Sequence, residues 1–172
     1  MAVAVREARR DADLEDVAAL WGEYLRWAND RFDAEYGFRL DVDKVLDRNL
    51  ADLSTFEPPD GRLLLAVDGD TAVGVGCLQR LRPDTAEIKR MFVRPSARGR
   101  GIGRLLLDRL VAAAHELGCD QVLLDSSRFM HAAHRLYRSV GFNEIEPYPE
   151  SEIPTELRHH WLFMRLFIDD HL

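Results

Sequence analysis

A run of arginines and glycines in the middle of the chain has the residue types and spacing that bind phosphate. Glycines let an anion approach the main chain, the free N–H groups and dipole of a helix start attract negative charge, and arginines add forked donors. The run is not a P-loop, which needs Gly-Lys and then Ser or Thr, nor the dinucleotide fingerprint, which needs a glycine where Arg104 stands. By composition alone, a flexible solvated loop remains the alternative. The candidate residues are Arg98, Gly99, Arg100, Gly101, Ile102, Gly103 and Arg104.

The flanking sequence predicts a strand before this run and a helix after it. Residues 86–93 have strand character and end next to Pro95, which cannot donate to a β-ladder. Apolar residues recur at helical spacing over residues 101–117, and Gly118 follows where a C-terminal cap belongs. Residues 121–125 form the next predicted strand. This strand–helix–strand order predicts a parallel crossover in a mixed sheet.

The rest of the chain predicts further helices and strands in one α/β (α+β) domain over residues 1–172. The sheet is expected to have about six to seven strands flanked by helices. The other predicted elements are strands at 2–7, 62–67, 72–81, 142–145 and 161–167, a helix that starts at about Asp13 and reaches Ala28, a more polar helix at 42–53 and a helix at 130–140.

Composition and charge narrow the class of protein. The chain has 172 residues, 47% hydrophobic and 31% charged, which is typical of one globular domain. Its formal net charge of -7 argues against a dedicated nucleic-acid binder, whose affinity depends on neutralising phosphates. Residues 1–10 lack the apolar core of a signal peptide and no stretch is apolar enough for a membrane span, so we expect a cytoplasmic protein without membrane association. Cys77 and Cys119 are expected to be reduced thiols.

Two motifs about thirty residues apart resemble those of the GNAT superfamily of acyl-coenzyme-A-dependent N-acetyltransferases. The central motif of that family, Gln or Arg, two residues, Gly, one residue, then Gly or Ala, matches Arg98, Gly101 and Gly103. A second signature matches Ala133, Leu136-Tyr137 and Gly141-Phe142. The resemblance implies a splayed mixed sheet and acetyl-CoA as cosubstrate, with no metal.

The resemblance also implies where the cofactor lies. Its pantetheine arm would contact the main chain of Met91, Phe92 and Val93, and its pyrophosphate would rest on the N–H groups of residues 99–104. Many members of the family have Asn where Met130 stands here, so the chain departs from the family's pattern at this one side chain, which does not affect the implied main-chain contacts.

Two side chains are candidates for proton transfer during acyl transfer. An ammonium must lose a proton before it attacks a thioester, and Glu87 lies on the strand of the proposed cofactor contacts, where some members of the family place a glutamate base. The alternative is a glutamate paired with Lys89 or Arg90. Tyr137 could protonate the leaving thiolate, since a phenol is an O–H donor. Its alternative is an aromatic anchor of the helix on the sheet.

No other sequence pattern predicts a hydrolase triad or a metal site. There is no GxSxG elbow for a hydrolase triad at Ser126, Ser127 and the nearby histidines, and no HExxH pattern for a metal. Residues 146–154 are rich in proline, acid and aromatic residues and are expected to cover the acceptor end of the splay, an ordinary surface loop being the alternative.

The acceptor is expected to be a primary amine of a small molecule. A protein N-terminus or lysine, and a non-catalytic acyl-CoA sensor, are the alternatives. Dimers are common among similar proteins, so a homodimer is an open alternative to a monomer.

Overall fold

A seven-stranded sheet forms the centre of the protein in the computed structural model, which describes residues 2–168. The strand order is β1-β2-β3-β4-β5-β7-β6, and only β4 and β5 are parallel neighbours within the described chain. The mixed sheet and its crossover are therefore confirmed. The strands are β1 Val3–Glu7, β2 Gly61–Asp68, β3 Thr71–Arg82, β4 Thr85–Val93, β5 Gln121–Ser127, β6 Asn143–Ile145 and β7 Trp161–Phe167.

Four α-helices and three short 3-10 helices flank the sheet over the described residues. One apolar core packs α3 and α4 on one face, and a second packs α1, α2 and a 3-10 helix on the other. The α-helices are α1 Arg10–Tyr36, α2 Val42–Ala51, α3 Ile102–Glu116 and α4 His131–Val140, and the 3-10 helices are Leu53–Phe56, Pro95–Ala97 and Thr155–His160.

Helix α1 begins one turn earlier than the sequence predicts. Asp13, the expected start, lies inside the helix and is 3% exposed. Its carboxylate accepts hydrogen bonds from the backbone N–H of Arg9, at 2.6 Å, and from the Arg6 guanidinium, at 2.8 and 2.9 Å. These bonds hold the pKa of Asp13 well below its usual range. The carboxylate thus caps the helix start from within the first turn.

Strands β4 and β5 pair only at their beginnings. Their register runs from Thr85 opposite Gln121 to Glu87 opposite Leu123 and then stops, although β4 continues to Val93 and β5 to Ser127. The two strands therefore separate beyond Glu87. This is the splay that the family resemblance implied.

A β-bulge in β4 follows the point of separation. Val75 pairs with Phe92 and Cys77 with Lys89, so Gly76 alone lies opposite Arg90 and Met91. Arg90 has φ 50°, the one positive value for a residue other than glycine among residues 2–168. A bulge bends and twists its strand, and such a backbone conformation costs free energy.

Helix α3 lies close against two glycines of β3. A Cβ at Gly76 would be 2.9 Å from Leu110 Cδ1, and one at Gly74 would be 3.1 Å from Leu106 Cδ1. Both leucines are fully buried. Side chains at these two positions would therefore require the two leucine side chains of α3 to shift.

Candidate active site

A groove of about 450 Å³ runs along the separated end of β4, between the first turn of α3 and helix α4. Aromatic residues Tyr24 and Trp27 of α1 and Phe129, which precedes α4, complete its wall. The structure brings together nine of the ten predicted cofactor residues along this groove. They are Met91, Phe92, Val93, Arg98, Gly99, Gly101, Ile102, Gly103 and Arg104.

The start of α3 offers main-chain donors to this groove. Gly101 precedes the helix at φ 78° and no side chain caps it. The first four N–H groups of a helix have no partner within it, and those of residues 101–104 find no acceptor among the described residues. Nothing lies within 4 Å of a Cβ built at Gly99 or Gly101, so the main chain there is open to an approaching group. This geometry fits a phosphate.

The three arginines of the run are held differently. The Arg98 guanidinium donates to the Val93 carbonyl at 2.9 Å and lies over the rings of Trp27 and Phe92. Arg104 lines the groove and pairs with Asp108 of α3 at 2.8 Å. Arg100, the remaining predicted cofactor residue, is directed to Asp68 at 2.7 Å and does not line the groove.

Tyr137 of α4 lies in the wall of the groove and is 7% exposed. Its ring packs against Phe142, with 5.8 Å between centroids, so it also anchors α4 to the core. Burial raises the pKa of its phenol, and the nearby Tyr24 and Asp125 add to that effect. The phenol therefore stays protonated at neutral pH and can donate a hydrogen bond.

Glu87 lies beside the splay but is 1% exposed and does not line the groove. Gln79 donates to its Oε1 at 2.8 Å, the Tyr148 hydroxyl donates to its Oε2 at 2.7 Å, and Lys89 Nζ is 3.9 Å from Oε1. Burial raises the pKa of Glu87 above its ordinary value, while Lys89 and the two donors oppose that rise. The predicted neighbour Lys89 is present, but the carboxylate is buried on a central strand.

Asp125, on β5 across the splay, completes a pair of carboxylates with Glu87. Ser151 donates to Asp125 Oδ2 at 3.0 Å, and the Tyr148 hydroxyl is 3.4 Å from the same oxygen. Burial and the charge of Glu87 raise the pKa of Asp125 to about 6. The charge of Asp125 also raises the pKa of Tyr24 and Tyr137, and both tyrosines line the groove.

Residues 146–154 lie over this carboxylate pair, through Tyr148 and Ser151. Besides Tyr148 and Ser151, Glu150 makes a bidentate pair with Arg82, and Glu152 Oε2 is 2.7 Å from Lys89 Nζ. The segment is thus joined to β3, β4 and β5 by side-chain contacts.

Sequence reasoning missed Asp125 and Tyr148 as members of the site. The available signal was the odd-numbered position of Asp125 on a short buried strand, which places it on the face of Leu123 rather than with Leu124. No local pattern connects Tyr148 with Glu87.

The histidines and serines near α4 make a buried structural pair rather than a triad. His134 Nε2 is 3.1 Å from Ser126 Oγ, and the residues are 4% and 5% exposed. Asp125 bonds to other partners. Across residues 2–168, no group of three or more His, Cys, Asp or Glu side chains could hold a metal ion, and no helix is long and apolar enough to cross a membrane.

Comparisons with known proteins agree with this geometry. A family model described as the acetyltransferase (GNAT) family matches residues 18–142. An uncharacterized N-acetyltransferase of Schizosaccharomyces pombe is 32% identical over 155 residues, which cover 89% of this chain and 90% of that protein. An IAA acetyltransferase of Azospirillum brasilense is 35% identical over 141 residues, or 81% of this chain and 85% of that protein.

A solved structure shows the same fold. The PaiA N-acetyltransferase of Thermoplasma acidophilum, in complex with coenzyme A, superimposes with a TM-score of 0.75 at 16% identity, covering 97% of this chain and 99% of that one. With the family model spanning most of the chain and both relatives matching over most of their length, the chain belongs to the acetyltransferase (GNAT) family of acyltransferases.

Proposed function

We propose that the protein transfers the acetyl group of acetyl-CoA to a primary amine of a small molecule, by direct attack in a ternary complex. The observation that carries this proposal is the groove, in which an uncapped helix start meets the main chain of β4 that β5 leaves unpaired. Binding of both substrates to one splay from opposite faces permits direct attack without an acyl-enzyme.

Acetyl-CoA fits the groove by its chemistry. The pyrophosphate would accept from the N–H groups of residues 101–104, with Arg98 and Arg104 close by. The pantetheine amides would pair with the main chain of Met91, Phe92 and Val93, which β5 leaves free. The bound coenzyme A of the Thermoplasma acidophilum protein supports this assignment.

Glu87 is the proposed base, and it acts through the Tyr148 hydroxyl and Asp125 because Glu87 itself is buried. The ammonium gives one proton to this pair of carboxylates, which pass it to solvent, and the neutral nitrogen attacks the thioester carbon. The C–N bond forms, the C–S bond breaks, and the nitrogen loses its second proton to solvent by way of the same carboxylates. Tyr137 donates to the leaving sulfur, and solvent supplies the proton that restores the phenol.

The segment over the carboxylates supports a small-molecule substrate. Residues 146–154 cover the carboxylates and are joined to three strands by side-chain contacts. The name of the Azospirillum brasilense relative, an IAA acetyltransferase, also points to a small molecule. A cytoplasmic location belongs to the same proposal, since Cys77 and Cys119 are free thiols.

Release of coenzyme A in the presence of a panel of amines tests this function, with calorimetry of acetyl-CoA as the binding measurement. Acetyl-CoA should bind, and at least one small amine should release the thiol and appear as its acetyl derivative. Tight binding with no turnover on any small amine, peptide N-terminus or lysine peptide would instead favour an acyl-CoA sensor. Turnover confined to peptides would overturn the small-molecule assignment.

A further inference from the structure

Two consecutive cations of β4, Lys89 and Arg90, meet a single carboxylate on the acceptor side of the splay. Their side chains are 11% and 13% exposed. Glu152 Oε2 lies 2.7 Å from Lys89 Nζ and 3.7 Å from Arg90 Nη2. One oxygen of one carboxylate therefore serves both cations.

The two cations are fixed in place without Glu152. Arg90 donates to Asn49 Oδ1 at 2.8 Å, its guanidinium lies 5.4 Å from the ring centre of Trp21 and 5.2 Å from that of Phe56, and its backbone is in the bulge. Its Nη1 is buried and has no hydrogen-bond partner. Lys89 also lies 3.9 Å from Glu87. Both cations thus have contacts other than Glu152 that hold them in place.

Glu152 is the exchangeable member of this group. Its side chain is 52% exposed and stands on a segment without regular structure, and the pairs with Lys89 and Arg90 are its only ion pairs within the described chain. The two cations are largely buried, so loss of the Glu152 carboxylate without a replacement would be costly. An incoming anion supplies that replacement, while the half-exposed Glu152 side chain moves into solvent.

Opposite charges lie side by side on this face of the sheet. Lys89 and Glu87 are two residues apart on β4 and so share a face, and Asp125 joins Glu87 through Tyr148. With Glu152 swung away, the face presents two cations next to two carboxylates. This arrangement complements a molecule that carries both an ammonium and an anionic group.

We infer that the acceptor is an amino-carboxylate, an amino acid or a compound of that kind, whose carboxylate replaces that of Glu152 on Lys89 and Arg90. Its amine then lies toward Asp125 and the splay. In the free protein, the Glu152 carboxylate occupies the anion-binding position on Lys89 and Arg90. A simple amine has no carboxylate with which to replace it. This inference rests on the proposed function.

Matched acceptor pairs test it: amino acids and their amides, which differ in the carboxylate alone. The wild-type protein should favour the acid over the amide by about tenfold or more in kcat/KM, since a charge-assisted contact to a guanidinium or ammonium is involved. Glu152→Gln should raise that acid-to-amide ratio further, by about tenfold, because the internal competitor is gone. Glu156→Gln, an exposed change in the neighbouring 3-10 helix, is the matched control and should leave the ratio as it is.

Lys89→Met gives the opposite expectation, a ratio lowered by about tenfold, since one of the two cations is lost. A wild-type preference for amides, or a lower ratio in Glu152→Gln, would overturn the inference and make Glu152 part of an ammonium site.

Binding separates this inference from the proposed function. Calorimetry with an amino acid and its amide, in the presence of coenzyme A, should show tighter binding of the acid and a further gain in Glu152→Gln. If that pattern holds but no amine is acetylated, the proposed function is wrong and the inferred anion site is supported. If small amines are acetylated but the acid and the amide bind equally well to both proteins, the inferred anion site is wrong and the proposed function is supported.

Discussion

Glu87 and Asp125, on the two strands that separate at the splay, share one hydroxyl. The Tyr148 oxygen is 2.7 Å from Glu87 Oε2 and 3.4 Å from Asp125 Oδ2. The phenol carries a single proton, so it can donate fully to one carboxylate at a time. The position of that proton therefore links the two acids electrostatically across the gap between β4 and β5.

Removal of this hydroxyl should affect both stability and the pH profile. Tyr148→Phe leaves the buried Glu87 without its shortest donor, at a cost of about 1–3 kcal/mol in the free energy of unfolding. The same bond lowers the pKa of Glu87, so its loss should move the acid limb of kcat/KM to higher pH. Urea denaturation and a pH series of initial rates measure the two effects.

Tyr36→Phe is the matched control, because the Tyr36 hydroxyl bonds to Ser127 and to the His160 carbonyl. It should lower stability but leave the pH profile in place. An acid limb that moves equally in both variants would contradict the shared-proton interpretation.

Asp125 should make the protein less stable at neutral than at acidic pH. Its pKa of about 6 in the folded protein lies above the ordinary value of 3.8, so the folded state favours the protonated acid. That contribution is complete below about pH 4 and is lost as the pH rises through 6. Asp125→Asn should therefore stabilise the protein by about 1–3 kcal/mol at pH 7.5, and the gain should vanish near pH 4.

Chemical denaturation at the two pH values measures this difference. Asp120→Asn, an exposed change directly before the same strand, should show no such dependence on pH. A gain for Asp125→Asn that is as large at pH 4 as at pH 7.5 would show that its charge is not the cause.

Gly101 should be needed for cofactor binding because of its backbone conformation, and not because a side chain at this position would collide with other atoms. Its φ is 78°, and no atom lies within 4 Å of an added Cβ. Gly101→Ala should strain the helix start by about 1 kcal/mol and turn its N–H groups away, weakening acetyl-CoA binding by tenfold or more in calorimetry. Gly37→Ala is the matched control, since Gly37 ends α1 at φ 72° with equally open space. It should carry the same strain without loss of affinity.

Tyr137 should matter for turnover more than for binding. Tyr137→Phe keeps the ring that packs on Phe142 and loses the donor, so acetyl-CoA affinity should stay near normal while kcat falls by about 10- to 100-fold. Tyr24→Phe, in the same groove, is the comparison and should lose much less. If Tyr24→Phe is the variant with the larger loss of kcat, the donor to the sulfur is Tyr24.

Sequence reasoning predicted the elements best where local pattern and packing agree. The apolar stripe of α3 and the glycines before it depend on contacts between residues that are close in the chain. The sequence pattern therefore predicts this helix and its start. The end of α2 was predicted at residue 53, but the helix stops at Ala51 and a 3-10 helix buries Leu53 and Phe56. Tertiary packing of those two side chains overrides the helical pattern there.

The acceptor side was harder to predict because its contacts are remote in sequence. Tyr148 reaches Glu87 and Glu152 reaches Lys89 from a segment whose composition alone marks it as a loop. Charge pairing across separate elements has no periodic signature, so the sequence could place the loop near the splay but not its partners.

The glycines of β3 lie directly beneath the strand that lines the groove. A Cβ at Gly76 would be 2.9 Å from Leu110 Cδ1 and 3.6 Å from Met91 Cγ, and one at Gly74 would be 3.2 Å from the Phe92 carbonyl oxygen. Met91 and Phe92 line the groove, so larger residues at these two positions would crowd it from below. The smallest side chains of the sheet thus set how near the cofactor can come to the protein's interior.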